Sequence, residues 1–130
     1  MKTLTIILAG AALALTGAAA SAQTLAEKGE AKLARMLEGR TAGEPVSCIS
    51  TMRSNQLQVI EHVGLVYESG DTVYVARPSD PRSLGRNDVL IMNRFSSQLC
   101  KQDVIRTVDR TGGFQTGVVF LNDFVPYKRG

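Results

Sequence analysis

The chain has 130 residues, with 15 Lys plus Arg against 12 Asp plus Glu, one histidine and two cysteines, and a formal net charge of +3. This length fits one domain around a single core, and a small basic excess with interspersed signs builds no field for recruiting nucleic acid. One histidine and no carboxylates at calcium-loop spacing leave no metal site to expect, and the scattered glycines form no phosphate cradle, so no cofactor is expected either.

The chain opens with Lys2, an apolar stretch from Leu4 to Ala20, and Ala20-Ser21-Ala22. A short positive segment, an apolar segment and a small-x-small site are the parts of a secretory signal peptide. Residues 1–22 are therefore read as a cleaved leader and residues 23–130 as the domain, exported to the periplasm or secreted, with no stable membrane insertion after cleavage. Lys2 is the only charge in the leader, so the processed chain keeps a net charge of +2.

A helix is predicted over Thr24 to Gly39. Thr24 with Glu27 forms a capping box, Gly39 supplies a C-terminal stop, and Leu25, Leu33, Met36 and Leu37 make an apolar stripe that Gly29 interrupts and weakens. After Arg40 the pattern becomes extended. Runs rich in Val, Ile, Thr, Tyr and Phe predict strands over Pro45–Ser50, Gln56–Ile60, Val63–Tyr67, Thr72–Ala76, Val89–Asn93, Val104–Asp109, Gly117–Leu121 and Phe124–Tyr127. Ser69-Gly70-Asp71 marks a hairpin, and Arg110-Thr111-Gly112-Gly113 a second turn. Between them Arg77 to Asp88, with Pro78, Pro81 and Gly85, is read as a surface loop. The fold class is mainly β with one N-terminal helix: a single antiparallel twisted sheet curling toward a barrel or sandwich.

Cys48 and Cys100 stand 52 positions apart. In an oxidising compartment an isolated pair reads as a disulfide, and closing so long a loop stabilises by about 4 kcal/mol on the chain-entropy model. A redox-active pair is the alternative, although such pairs usually sit close together as C-x-x-C. His62 is the only side chain that a Ser-His-Asp triad has for its base, and no Gly-x-Ser-x-Gly elbow accompanies it. The acids Asp71, Asp103, Asp109 and Asp123 fall at turns or strand ends, where carboxylates serve backbone conformation. Arg77, Arg82, Arg86 and Arg94, with Arg53, offer guanidinium forks for carboxylate or phosphate groups. Solvated arginines partly neutralised by Asp80 and Asp88 are the plain alternative.

Four segments, Gly43-Glu44-Pro45-Val46-Ser47-Cys48-Ile49, Val73-Tyr74-Val75-Ala76-Arg77-Pro78, Ser97-Gln98-Leu99-Cys100 and Phe124-Val125-Pro126-Tyr127, span most of the domain. In them the chain resembles small exported alphaproteobacterial proteins of sphingomonad-like style, a group of unknown function. The resemblance implies an exported, disulfide-bridged β domain and assigns no catalytic residue. The leading functional reading is a non-enzymatic module that binds a cell-envelope component or a protein partner through the Arg77 to Asp88 loop. The alternative is a small periplasmic hydrolase using His62 with an acid such as Asp103.

Overall fold

The computed structural model describes residues 23–52, 56–85, 87–93 and 96–130. The leader over residues 1–22 lies outside them, as do Arg53, Arg86 and Arg94. Helix α1 (Leu25–Met36) starts as the sequence predicts: the Thr24 hydroxyl accepts from the Glu27 N–H at 3.2 Å, and the Glu27 carboxylate accepts from the Thr24 N–H at 3.2 Å. It stops earlier than Gly39. Leu37 caps it, and Gly39, at φ +72°, instead turns the chain into the first strand, a left-handed conformation that glycine adopts without penalty.

Ten strands follow among the described residues: β1 (Arg40–Ala42), β2 (Cys48–Ser50), β3 (Leu57–Ile60), β4 (Gly64–Ser69), β5 (Thr72–Pro78), β6 (Asp88–Met92), β7 (Gln98–Cys100), β8 (Ile105–Asp109), β9 (Gln115–Val119) and β10 (Leu121–Arg129). All pairs are antiparallel, and the strands form a five-stranded sheet in the order β1-β10-β5-β4-β3, a three-stranded sheet β6-β8-β9 and a two-stranded ribbon β2-β7. The mainly β class with one helix stands; hydrogen bonding divides the single expected sheet in three and closes no barrel.

The β4–β5 hairpin pairs Ser69 with Thr72 across Gly70-Asp71, with Gly70 at φ +60°. A positive φ at the first turn residue suits the twist of the flanking strands. β5 continues through Arg77 to Pro78, beyond its predicted end, because Leu121 of β10 pairs with Pro78 as the terminal residue of the ladder. The predicted loop is thus shortened, and a 3₁₀ turn at Pro81–Ser83, capped by Asp80, occupies part of it.

Alternation along β4 and β5 feeds two cores. Val66, Val73 and Val75 pack with Ile60, Val63 and Leu33 of α1 on one face of the large sheet. Leu65, Tyr67 and Ala76 pack on the other with Ile49, Leu84, Leu99, Ile105, Val119, Leu121 and Phe124. The large sheet is therefore a middle layer, which explains why β4 is buried over Gly64–Tyr67 rather than at every second residue. Gly29 has a role that helix propensity missed. A Cβ there would lie 2.5 Å from Val63 Cγ2 and 3.0 Å from the Glu61 carbonyl, so the missing side chain is what lets α1 seat on the β3–β4 turn.

Pro126 sits inside β10 between β1 and β5, a position proline normally avoids. The Gly43 N–H donates to the Pro126 carbonyl at 2.7 Å, so the backbone of residue 126 faces the β1 side, just past Ala42. Proline has no N–H to return to Gly43, which accounts for β1 stopping at Ala42. The chain rejoins β10 at the isolated Val46–Phe124 bridge and then departs into β2.

Candidate functional site

The Cys48–Cys100 disulfide is formed, joining directly opposed residues of β2 and β7 with Cα atoms 4.0 Å apart. Hydrogen bonds from Lys101 N–H to Ser47 O and from Thr51 N–H to Ser97 O, each 2.8 Å, set the phase of this ribbon. They make Cys48 and Cys100 a non-hydrogen-bonded pair, the narrower of the two antiparallel spacings. The Cys100 N–H therefore points away from β2, and Asp103 Oδ2 accepts from it at 2.8 Å.

Of the four arginines of the expected cluster, Arg77 and Arg82 fall among the described residues. Arg77, at the end of β5, makes a two-pronged pair with Glu30 of α1: Nη1 donates to Oε1, and Nη2 to Oε2 at 3.1 Å. Hydrogen bonds from this guanidinium hold the Glu30 carboxyl below its ordinary pKa, and the same pairing raises Arg77. Arg82 bonds to its neighbour Asp80, whose pKa is lowered by the side-chain and then the backbone hydrogen bond from Arg82. Arg86 and Arg94 lie outside the described residues. Both described arginines are thus already engaged with carboxylates, Arg77 as a tie between helix and sheet.

His62 occupies the β3–β4 turn at φ +58°, the only positive φ outside glycine among the described residues, and its N–H donates to Leu84 O at 3.1 Å. Asp103 lies beyond β7, bonded to Cys100. The depressions lined by Asp103 and by residues of the β3–β4 turn do not contain His62. Among the described residues no group of three or more potential metal ligands occurs. Asp109 serves conformation, as its position predicts. Its Oδ1 accepts from the Thr111 N–H at 2.9 Å and from the Gly112 N–H, its Oδ2 accepts from Asn87 at 3.1 Å, and the Gly112 bond leads in lowering its pKa.

A concavity lies beside the disulfide. It is a depression of about 470 Å³ lined by Asn93 after β6, Ser96, Gln98 and Cys100 of β7, Gln102, Asp103 and Val104 in the β7–β8 connection, and Arg106 of β8. Two of its polar groups hold the frame: Asp103 accepts from Cys100, and the Ser96 hydroxyl accepts from the Gln98 N–H at 3.3 Å. The amides of Asn93, Gln98 and Gln102 and the half-buried Arg106 guanidinium take no side-chain hydrogen bond or ion pair from the described residues. Lys101 does not line the depression; its Nζ stands 2.8 Å from Asp123 Oδ1, an ion pair in distance but without hydrogen-bond alignment. Three residues with primary amides and one arginine therefore line the concavity with side chains that no described residue engages, a set suited to hydroxyl, amide and carboxylate groups.

Sequence reasoning passed over these residues. Arg106 falls at an outward position of an ordinary alternating strand, and only the clustering of Gln98 and Gln102 about Cys100 hinted at a polar wall. No protein-family model matches the chain, and no curated protein or solved structure matches it significantly.

Proposed function

We propose that this protein is an exported, non-enzymatic binding module of the bacterial cell envelope, kin to the small alphaproteobacterial proteins it resembles, and that it binds through the depression around Arg106. The observation that carries the reading is the set of unengaged amide and guanidinium donors on a frame fixed by the disulfide and Asp103. The leader and the disulfide support an oxidising compartment. Among the described residues no helix is long and apolar enough to cross a membrane. Envelope polymers carry hydroxyls, amides and carboxylates together, which is the chemistry this wall complements. The hydrolase alternative has less support, because His62 and Asp103 do not share a concavity.

Titration calorimetry with soluble peptidoglycan fragments tests the proposal. Arg106→Ala removes a charge-assisted hydrogen bond worth about 1.5–3 kcal/mol and is expected to weaken binding about tenfold or more. Arg82→Ala, which removes the bond to Asp80 and lies outside the lining of the depression, is expected to leave binding unchanged. Equal binding by wild type and Arg106→Ala sinks this assignment of the site.

A further inference from the structure

Strand β6 is an edge of the three-stranded sheet, with β8 as its hydrogen-bonded neighbour. The phase of that ladder is fixed by the bond from Arg110 N–H to Asn87 O at 2.8 Å, because residues 87 and 110 continue the β6–β8 register. Bonded pairs recur at every second residue. The backbone groups of Val89 and Ile91 are thus spent on β8, while those of Asp88, Leu90 and Met92 point to the open edge. No described residue takes them.

The usual protections of an edge strand are a lysine, a proline, a bulge or a covering loop. Asp88-Val89-Leu90-Ile91-Met92 contains neither lysine nor proline, its pairing with β8 has no register shift, and Val89 and Ile91 are 41% and 39% exposed on the outer face. Leu90 and Met92 face the core.

We propose that β6 is a self-association surface whose occupant is β6 of a second copy of this chain, paired antiparallel about a twofold axis at Leu90. The strand begins and ends on residues whose backbone faces outward, so this axis overlaps it over its full length. Asp88 then meets Met92 of the second copy and Leu90 meets Leu90 of the second copy, each pair exchanging two N–H···O=C bonds, about six in total. Face matching follows from the same register. Val89 lies beside Ile91 of the second copy, apolar against apolar on the outer face, and the two three-stranded sheets become one continuous sheet. Asn93, which lines the Arg106 depression, comes opposite Asn87 of the second copy, so each depression borders the joint. The pairing uses five residues a side against the roughly 20–30 of a standard interface. It is therefore a weak, concentration-dependent dimer, and it does not depend on what the depression binds.

The test uses the full chain expressed with its leader and purified from the exported fraction. Sedimentation velocity across a concentration series is expected to show monomer passing to dimer. Val89→Lys with Ile91→Lys sets lysines opposite each other twice and is expected to weaken association about tenfold, whereas Val89→Lys with Ile91→Glu sets opposite charges together and retains it. Circular dichroism melting confirms that each variant is folded. An independent readout on wild type needs no variant: raising the concentration slows amide exchange at Asp88, Leu90 and Met92 and leaves Val89 and Ile91, bonded to β8 in either state, unchanged. A monomer at every concentration overturns the proposal. So does equal association of the two variants, or slowing that is uniform along β6.

Discussion

The two sides of the large sheet are built to different standards. Toward α1, the valine face of β4 and β5 is covered by Leu33, the contact is close enough to demand glycine at position 29, and the charged pair Glu30–Arg77 clamps the rim. On the far side the same sheet meets two smaller sheets. Their inner faces are fully buried at Leu99, Ile105 and Val119, but their outer faces leave Val89, Ile91, Val104 and Phe120 in solvent and the depression donors unengaged. Packing is closest on the helix side, and recognition has room where side chains stay unengaged.

The largest expected effect tests whether the far side depends on its covalent tie. Replacing Cys48 and Cys100 together by Ala removes a link across 52 residues and should cost about 2–5 kcal/mol in denaturant unfolding. Exchange protection should fall first in the β2–β7 ribbon, which has only three residues in each strand. Unchanged stability would mean that packing of Ile49 and Leu99 alone holds the ribbon.

A smaller effect probes the tight side. Gly29→Ala raises helix propensity by about 1 kcal/mol, but the added Cβ meets Val63, which is only 1% exposed and has no room to retreat. Overpacking of this kind costs about 1–3 kcal/mol, so thermal unfolding is expected to show net destabilisation. A stabilised variant would show that α1 can lift from the turn freely.

The smallest effect is electrostatic. Because the folded-state pKa of Glu30 is depressed below its ordinary value of 4.5, its pairing contributes fully above that pH and is lost as pH falls through the lowered folded value. Both side chains are about half exposed, so Glu30→Gln should cost no more than about 1 kcal/mol at neutral pH. The difference between variant and wild type should shrink on acidification, a trend that paired melts between neutral pH and pH 3 would reveal or refute.

What could be read from the chain follows the range of the forces involved. The capping box, the Ser69-Gly70-Asp71 hairpin and the strands on either side are set by neighbours in sequence, and they were legible. Strands β1 and β7 were not, because Arg40-Thr41-Ala42 and Gln98-Leu99-Cys100 are too short to show alternation and are extended by what they pair with. Arg77 was grouped with a loop because its partner Glu30 lies 47 residues earlier. Gly29 reads as a flaw in a helix because Val63, the residue it makes room for, lies 34 positions further along the chain. The disulfide was legible from an isolated cysteine pair and an expected oxidising compartment, whereas the depression beside it needed the ribbon register and the β8 alternation to be known together.

The place of β10 bears on how the molecule is made. It is the last of the ten strands in chain order, yet it lies between β1 and β5 and supplies Phe124 to the core. The large sheet cannot be completed until residues 121–129 have been synthesised, and a chain halted near residue 120 leaves β1 without a neighbour and β5 with an open edge. This order of assembly defers the closing step until almost the whole described chain is available.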